Sequence, residues 1–190
     1  DPVSLSTARF LFPAIALAAI LALAGKPPTL PRRDGVVALA LGIVTAVYTL
    51  ALLSAIEILP VALAVLIFFL FPILTSLILA VMGWERLSVT TIAAGVFAFA
   101  GLALALGVSR QALSLEGIVY SAIAALGLAI VSAVSSRIIR SGDPRPVTLY
   151  ILTTASAVAI VIVLFRGEYL LPQTITGWWG FAGSVLFSGV

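Results

Sequence analysis

The sequence predicts an all-α integral membrane protein, a polytopic helical bundle of about six full transmembrane helices and part of a seventh. Three observations carry that prediction. Hydrophobic residues make up 63% of the chain and charged ones only 9%, with a mean hydropathy of +1.30. A soluble domain carries about 25% charged residues, so this composition leaves too little polar surface to face water. The apolar residues gather in runs of roughly 17–23, apolar on every side, which is the length a helix needs to cross a ~30 Å hydrocarbon core. Connections such as "EILP" and "GWERLS" are short, so successive helices are antiparallel neighbours. A transmembrane barrel would show alternating strands of about ten residues instead.

The expected spans are 5–24, 35–56, 60–82, 89–108, 117–136 and 147–165, with a truncated run at 177–190. The first carries Arg9 near its outer end, where the guanidinium either snorkels to headgroups or faces the interior. On the second, Thr45, Tyr48 and Thr49 share one face at i, i+3 and i+4. Ala38, Gly42 and Ala46 form a small-residue stripe on the same span. The third opens with Pro60, where a missing N–H costs nothing, and is interrupted by Pro72. Pro72 removes the donor for the Phe68 carbonyl and its ring forces a kink. Membrane helices accept this where neighbours or cavity water satisfy the freed group. Phe68, Pro72 and Ser76 repeat every four residues with Thr75 adjacent, a candidate cavity wall or hinge.

The fifth span repeats small residues at Ser121, Ala125, Ala129 and Ala133, a pattern that lets helix backbones approach closely. Tyr120 lies near its start; Tyr150, Thr153 and Thr154 lie in the first half of the sixth, and Trp178 and Trp179 open the last run. Two further readings of these groups stay open. Ser and Thr bond back to their own i−4 carbonyls, and aromatic residues near span ends form an interfacial belt.

Charge sets the expected orientation. Lys26, Arg32, Arg33, Arg86, Arg137, Arg140 and Arg145 fall on one side, against Arg9, Arg110 and Arg166 on the other. The positive-inside rule places loops 25–34, 83–88 and 137–146 in the cytoplasm, for a plasma membrane (bacterial inner membrane) protein. The first span then enters from outside, so one helix is expected before it. The last run, at 14 residues, is too short to cross, and the chain reads as an excerpt of a longer protein. The net charge of +3 sits in loops, where orientation explains it without a nucleic-acid partner.

With no Cys and no His, thiolate chemistry, disulfides and imidazole metal sites are excluded. Glu57, Glu85, Glu116 and Glu168 lie at span ends, and no GxSxG, HExxH or Walker A motif occurs. No catalytic residue, metal site or cofactor is expected, and the chain does not read as an enzyme. Hydroxyls and aromatics suit an amphipathic or neutral small solute. The expected partners are therefore that solute and membrane lipids; oligomeric state is not readable. A shift of 142 residues pairs Asp1-Pro2 with Asp143-Pro144, Gly25 with Gly167 and Gly35 with Gly177. The identities are few. They relate spans an odd number apart, as in an inverted-topology repeat.

Residues 58–106, "ILPVALAVLIFFLFPILTSLILAVMGWERLSVTTIAAGVFAFAGLALAL", resemble the EamA domain of the drug/metabolite transporter superfamily. The similarity lies in a small-residue helix with a mid-helix proline, a G-x-E-R-L turn (Gly83, Glu85, Arg86, Leu87), and a following helix with Gly95 and Gly101. "STARFLF" and residues 115–140 are similar to other helices of that domain. The resemblance implies ten helices in two inverted five-helix repeats, with residues 1–112 holding helices two to five of the first and 113–190 starting the second. It implies a permease that exports small metabolites. Where that family often has Trp in the fifth span, this chain has Leu128 and Ala129. Within the turn, Glu85 is expected to cap the next helix and Arg86 to fix orientation, a structural role. The competing class is a membrane-embedded lipid-modifying enzyme or a scaffold that binds a partner helix.

Overall fold

The computed structural model describes residues 2–25, 29–86, 89–105, 114–139 and 143–166. Among the described residues there are seven helices and no strand: α1 (Pro2–Leu23), α2 (Arg32–Ile58), α3 (Val61–Phe68), α4 (Phe71–Val81), α5 (Val89–Ala105), α6 (Leu115–Ile139) and α7 (Pro144–Arg166). In lipid a helix satisfies its own backbone, so all-round apolar runs fold this way. Arg32–Ile58, Val61–Val81, Leu115–Ile139 and Pro144–Phe165 are long and apolar enough to cross a membrane; Thr7–Leu23 and Ile92–Gly101 are shorter apolar stretches. The run at 177–190, with Trp178 and Trp179, lies outside the described residues, as does the expected repeat boundary at 112.

Local chemistry sets the helix ends. Asp143 precedes Pro144, the first residue of α7, and its Oδ1 accepts from the Arg145 N–H at 3.1 Å. That pairs an N-cap carboxylate with a proline whose missing donor is not needed there. Ser114 sits before α6 in the same way, its Oγ 3.5 Å from the Gly117 N–H. At the end of α4, Gly83 adopts φ +67° and its N–H bonds the Ala80 carbonyl at 2.9 Å, while the Trp84 N–H bonds Leu79 at 2.8 Å. These two bonds form a Schellman motif with Gly83 at the left-handed position. The glycine of the G-x-E-R-L turn is thus what stops the helix. Gly83→Ala is expected to cost about 1 kcal/mol, because a Cβ is disfavoured at positive φ. A lower thermal midpoint for the variant would show it.

The helices pack as two units, one of Asp1–Ala46 with Arg137–Val190, the other of Val47–Ser136; α2 contributes to both. In the first unit α1 lies along α7, and Phe10 packs among Ala46, Ala155 and Ala159. Gly42 of α2 meets Ile151 and Thr154 of α7, and Gly35 meets Tyr150. Positions rise together, so α2 and α7 run in the same direction. Ala38, Gly42 and Ala46 are all buried, as a close-approach stripe requires.

In the second unit α2 and α6 run in opposite directions, since Leu59 meets Gly117 and Tyr48 meets Gly127. Ala55, Leu59 and Ala64 form an apolar cluster covered by Ile118 and Tyr120, which assigns Tyr120 to packing. α5 packs on α3 and α4, with Ile73 against Gly95. Ser121, Ala125, Ala129 and Ala133 are fully buried, and the Ser121 Oγ has no hydrogen-bond partner among the described residues. An unsatisfied buried hydroxyl costs about 1–3 kcal/mol. Ser121→Ala is therefore expected to raise the thermal midpoint; a lowered midpoint would mean that the hydroxyl has a partner after all.

Candidate functional site

The third span is broken near its middle. α3 ends at Phe68, the Leu70 N–H turns back to the Ile67 carbonyl at 3.1 Å, and α4 restarts with Leu74 N–H to Leu70 at 3.1 Å. The sequence leads one to expect Pro72 to bend the span in the turn where the Phe68 carbonyl loses its donor. The interruption falls in that turn, at Phe69 and Leu70, and Pro72 occupies the first turn of α4. The Phe68 carbonyl still faces a residue with no N–H four positions on.

Aromatic rings surround the break. Tyr48 of α2 stacks on Phe68 with centroids 6.4 Å apart and planes at 28°. Phe71 lies 5.8 Å from Phe68, and Phe69 lies 6.1 Å from Phe68 and 6.2 Å from Phe71. Tyr48 reaches this position because Gly127 of α6 has no side chain: a Cβ there would come 2.5 Å from the Tyr48 Cβ. Phe68, Phe71 and Tyr48 are half-buried, and Phe69 is exposed. Of the sequence candidates, Tyr48, Phe68 and Pro72 are therefore drawn together. Phe69 and Phe71 belong with them, and the run "FFLFP" was the signal for them.

The hydroxyl candidates behave differently. Thr45 Oγ1 donates to the Leu41 carbonyl at 2.9 Å, Thr75 to Phe71 at 2.8 Å and Ser76 to Pro72 at 3.0 Å. Thr154 and Ser156 of α7 do the same to Tyr150 and Leu152. Each proton is spent on its own helix, which leaves the oxygen lone pairs as acceptors. Thr49 is buried in the second unit, whereas Thr45 belongs to the first.

Arg9 also lies in the first unit, half-buried on α1. Pro13, buried inside the same helix, removes the donor for the Arg9 carbonyl. Sequence reading passed over this proline, although it stands to Arg9 as Pro72 stands to Phe68. Glu85 and Arg86 are exposed in the turn after α4. Among the described residues no group of three or more His, Cys, Asp or Glu converges to hold a metal ion.

A model of the EamA-like transporter family matches residues 1–107. The match takes in α1 to α5, the broken span, Arg9, Tyr48 and the Gly83–Arg86 turn, and covers more than half of the chain. The chain belongs to the EamA-like transporter family. As an EamA protein it is a multi-pass helical membrane protein of the drug/metabolite transporter superfamily, whose members are transporters. No curated protein and no solved structure matches the chain.

Proposed function

We propose that this EamA protein exports a small metabolite across the plasma membrane by alternating access, with the broken third span as part of the solute pathway. The observation that carries the reading is the mid-span break ringed by Tyr48, Phe68, Phe69 and Phe71. A broken helix is costly in hydrocarbon unless it lines a cavity or is covered by protein, and transporters place solute sites at such breaks. In this reading Thr75 and Ser76 present acceptor lone pairs to the solute, and Thr45 and Thr49 hold α2 in place. The protein works without catalytic residues, metal or cofactor. Its partners are the solute and membrane lipids, and nucleic acid is not among them. Loops 25–34, 83–88 and 137–146 face the cytoplasm, in a bacterial inner membrane, with residues 1–112 and 113–190 belonging to successive inverted repeats.

The test is efflux from cells loaded with a panel of labelled amino acids, nucleosides, sugars and amphipathic drugs. Expression of the full-length protein is expected to accelerate loss of at least one class, and an efflux-null protein inserted at normal levels would contradict transport.

A further inference from the structure

We propose that the shared end of α2 and α7 binds an anionic phospholipid, with the lipid phosphate held by Arg32, Arg33 and Arg145, a property independent of the transport reading. The two helices run in the same direction and touch: Gly42 meets Ile151 and Thr154, and Gly35 meets Tyr150. Counting back nine residues from Gly42 and from Thr154 reaches Arg33 and Arg145, so the two arginines stand at the same level of the bundle. The helices are close there, since a Cβ added to Gly42 would lie 2.5 Å from the Thr154 Cβ. Packing thus sets Arg32 and Arg33 of one helix beside Arg145 of the other, and all three are exposed.

Positive charge is in surplus at this end. Among the described residues there, Arg32, Arg33, Arg145 and, at the end of α6, Arg137 give +4, while Asp34 and Asp143 give −2, a balance of +2. Asp143 is occupied with α7 itself: its Oδ1 accepts from the Arg145 N–H at 3.1 Å and lies 3.9 Å from the Arg145 Nε. Guanidiniums set side by side repel, and a phosphate between them relieves that repulsion while accepting paired N–H bonds from the planar fork. The surface beyond the arginines makes the ligand a lipid. Arg32 opens the apolar span Arg32–Ile58, and Val36, Leu39 and Ile43 follow it on one helix face, all exposed. A phosphate on Arg32 and Arg33 therefore has its acyl chain laid along Val36, Leu39 and Ile43. Basic residues clustered where spans meet the headgroups recognise anionic lipids. A zwitterionic headgroup is weaker because it brings its own cation to the same arginines.

The test titrates the full-length protein in detergent micelles with phosphatidylglycerol and phosphatidylcholine of the same acyl chains, and counts bound lipid by native mass spectrometry. Phosphatidylglycerol is expected to bind about tenfold more tightly. Arg33→Gln and Arg145→Gln, on different helices, are each expected to reduce that preference about threefold to fivefold, and either serves if the other does not fold. Arg86→Gln, which removes the same charge from the turn after α4, is expected to leave the preference intact. Glycerol phosphate, the headgroup anion without acyl chains, is expected not to displace the lipid. Equal affinity for the two lipids, a preference kept by both site variants, the same loss from Arg86→Gln, or displacement by glycerol phosphate would overturn the assignment. Solute flux does not enter this measurement, so the lipid site and the transport reading stand or fall separately.

Discussion

Pro72→Ala is expected to cut solute flux about tenfold or more while leaving the protein better folded. Alanine supplies the N–H that Phe68 lacks, and it is the strongest helix former. With it, α3 and α4 can join into one helix through Phe69 and Leu70, the residues between them. A satisfied carbonyl contributes about 1 kcal/mol in water and more in hydrocarbon. A bias of about 1.4 kcal/mol toward the straight helix depopulates the broken form tenfold. The ring arrangement around Phe68 depends on that break, since Phe68 and Phe71 fall on opposite sides of it. The paired measurement is flux in proteoliposomes and the thermal midpoint of the same preparation. Normal flux from a correctly inserted Pro72→Ala protein would remove the break from the mechanism.

Gly42→Ala is expected to lower stability by about 1–3 kcal/mol, the usual range for overpacking a filled interior. A Cβ on Gly42 would lie 2.5 Å from the Thr154 Cβ and 2.7 Å from the Ile151 carbonyl oxygen. The second contact is to backbone, which cannot rotate aside as a side chain does, so α2 and α7 must separate. Gly101 of α5 is the internal control, for nothing among the described residues lies within 4 Å of its added Cβ. Gly101→Ala is expected to be neutral or to gain up to about 1 kcal/mol from helix propensity. Thermal melts of the two variants decide the matter: equal midpoints would mean that the α2–α7 contact is looser than described.

Much of the fold is legible in the sequence because lipid allows so few solutions. A long apolar run must be a helix, and Asp143-Pro144 or Gly83 marks where one starts or stops for reasons of local backbone chemistry. The small-residue stripes are legible too, since Ala38, Gly42 and Ala46 need only helical spacing to share a face. What partners those stripes meet is not legible. Gly127 looks like any glycine in an apolar run, and only the return of α6 beside α2 shows that it makes room for Tyr48. The bend is legible because Pro72 lacks the N–H that the Phe68 carbonyl would accept; that the helix stops at Phe68 and restarts at Phe71 is not, since it depends on how the neighbouring bonds give way. The hydroxyls of Thr45, Thr75 and Ser76 were ambiguous for a related reason. A hydroxyl in a helix either bonds its i−4 carbonyl or faces outward, and spacing does not choose.

The most direct measurement of the account uses the absence of cysteine from residues 1–190, in the full-length protein with any cysteine outside them replaced. On that background Ser76→Cys places a thiol one turn beyond Pro72, and Phe97→Cys places one on α5 at a position that is 79% exposed in the structure. A membrane-impermeant maleimide is applied from outside the cell and, in inverted vesicles, from the cytoplasmic side. Alternating access along the broken span predicts that Ser76→Cys is labelled from both sides and protected by a transported solute, while Phe97→Cys, facing lipid, stays unlabelled. Labelling of Ser76→Cys from neither side, or from one side only, would contradict a pathway that opens in turn to each face of the membrane.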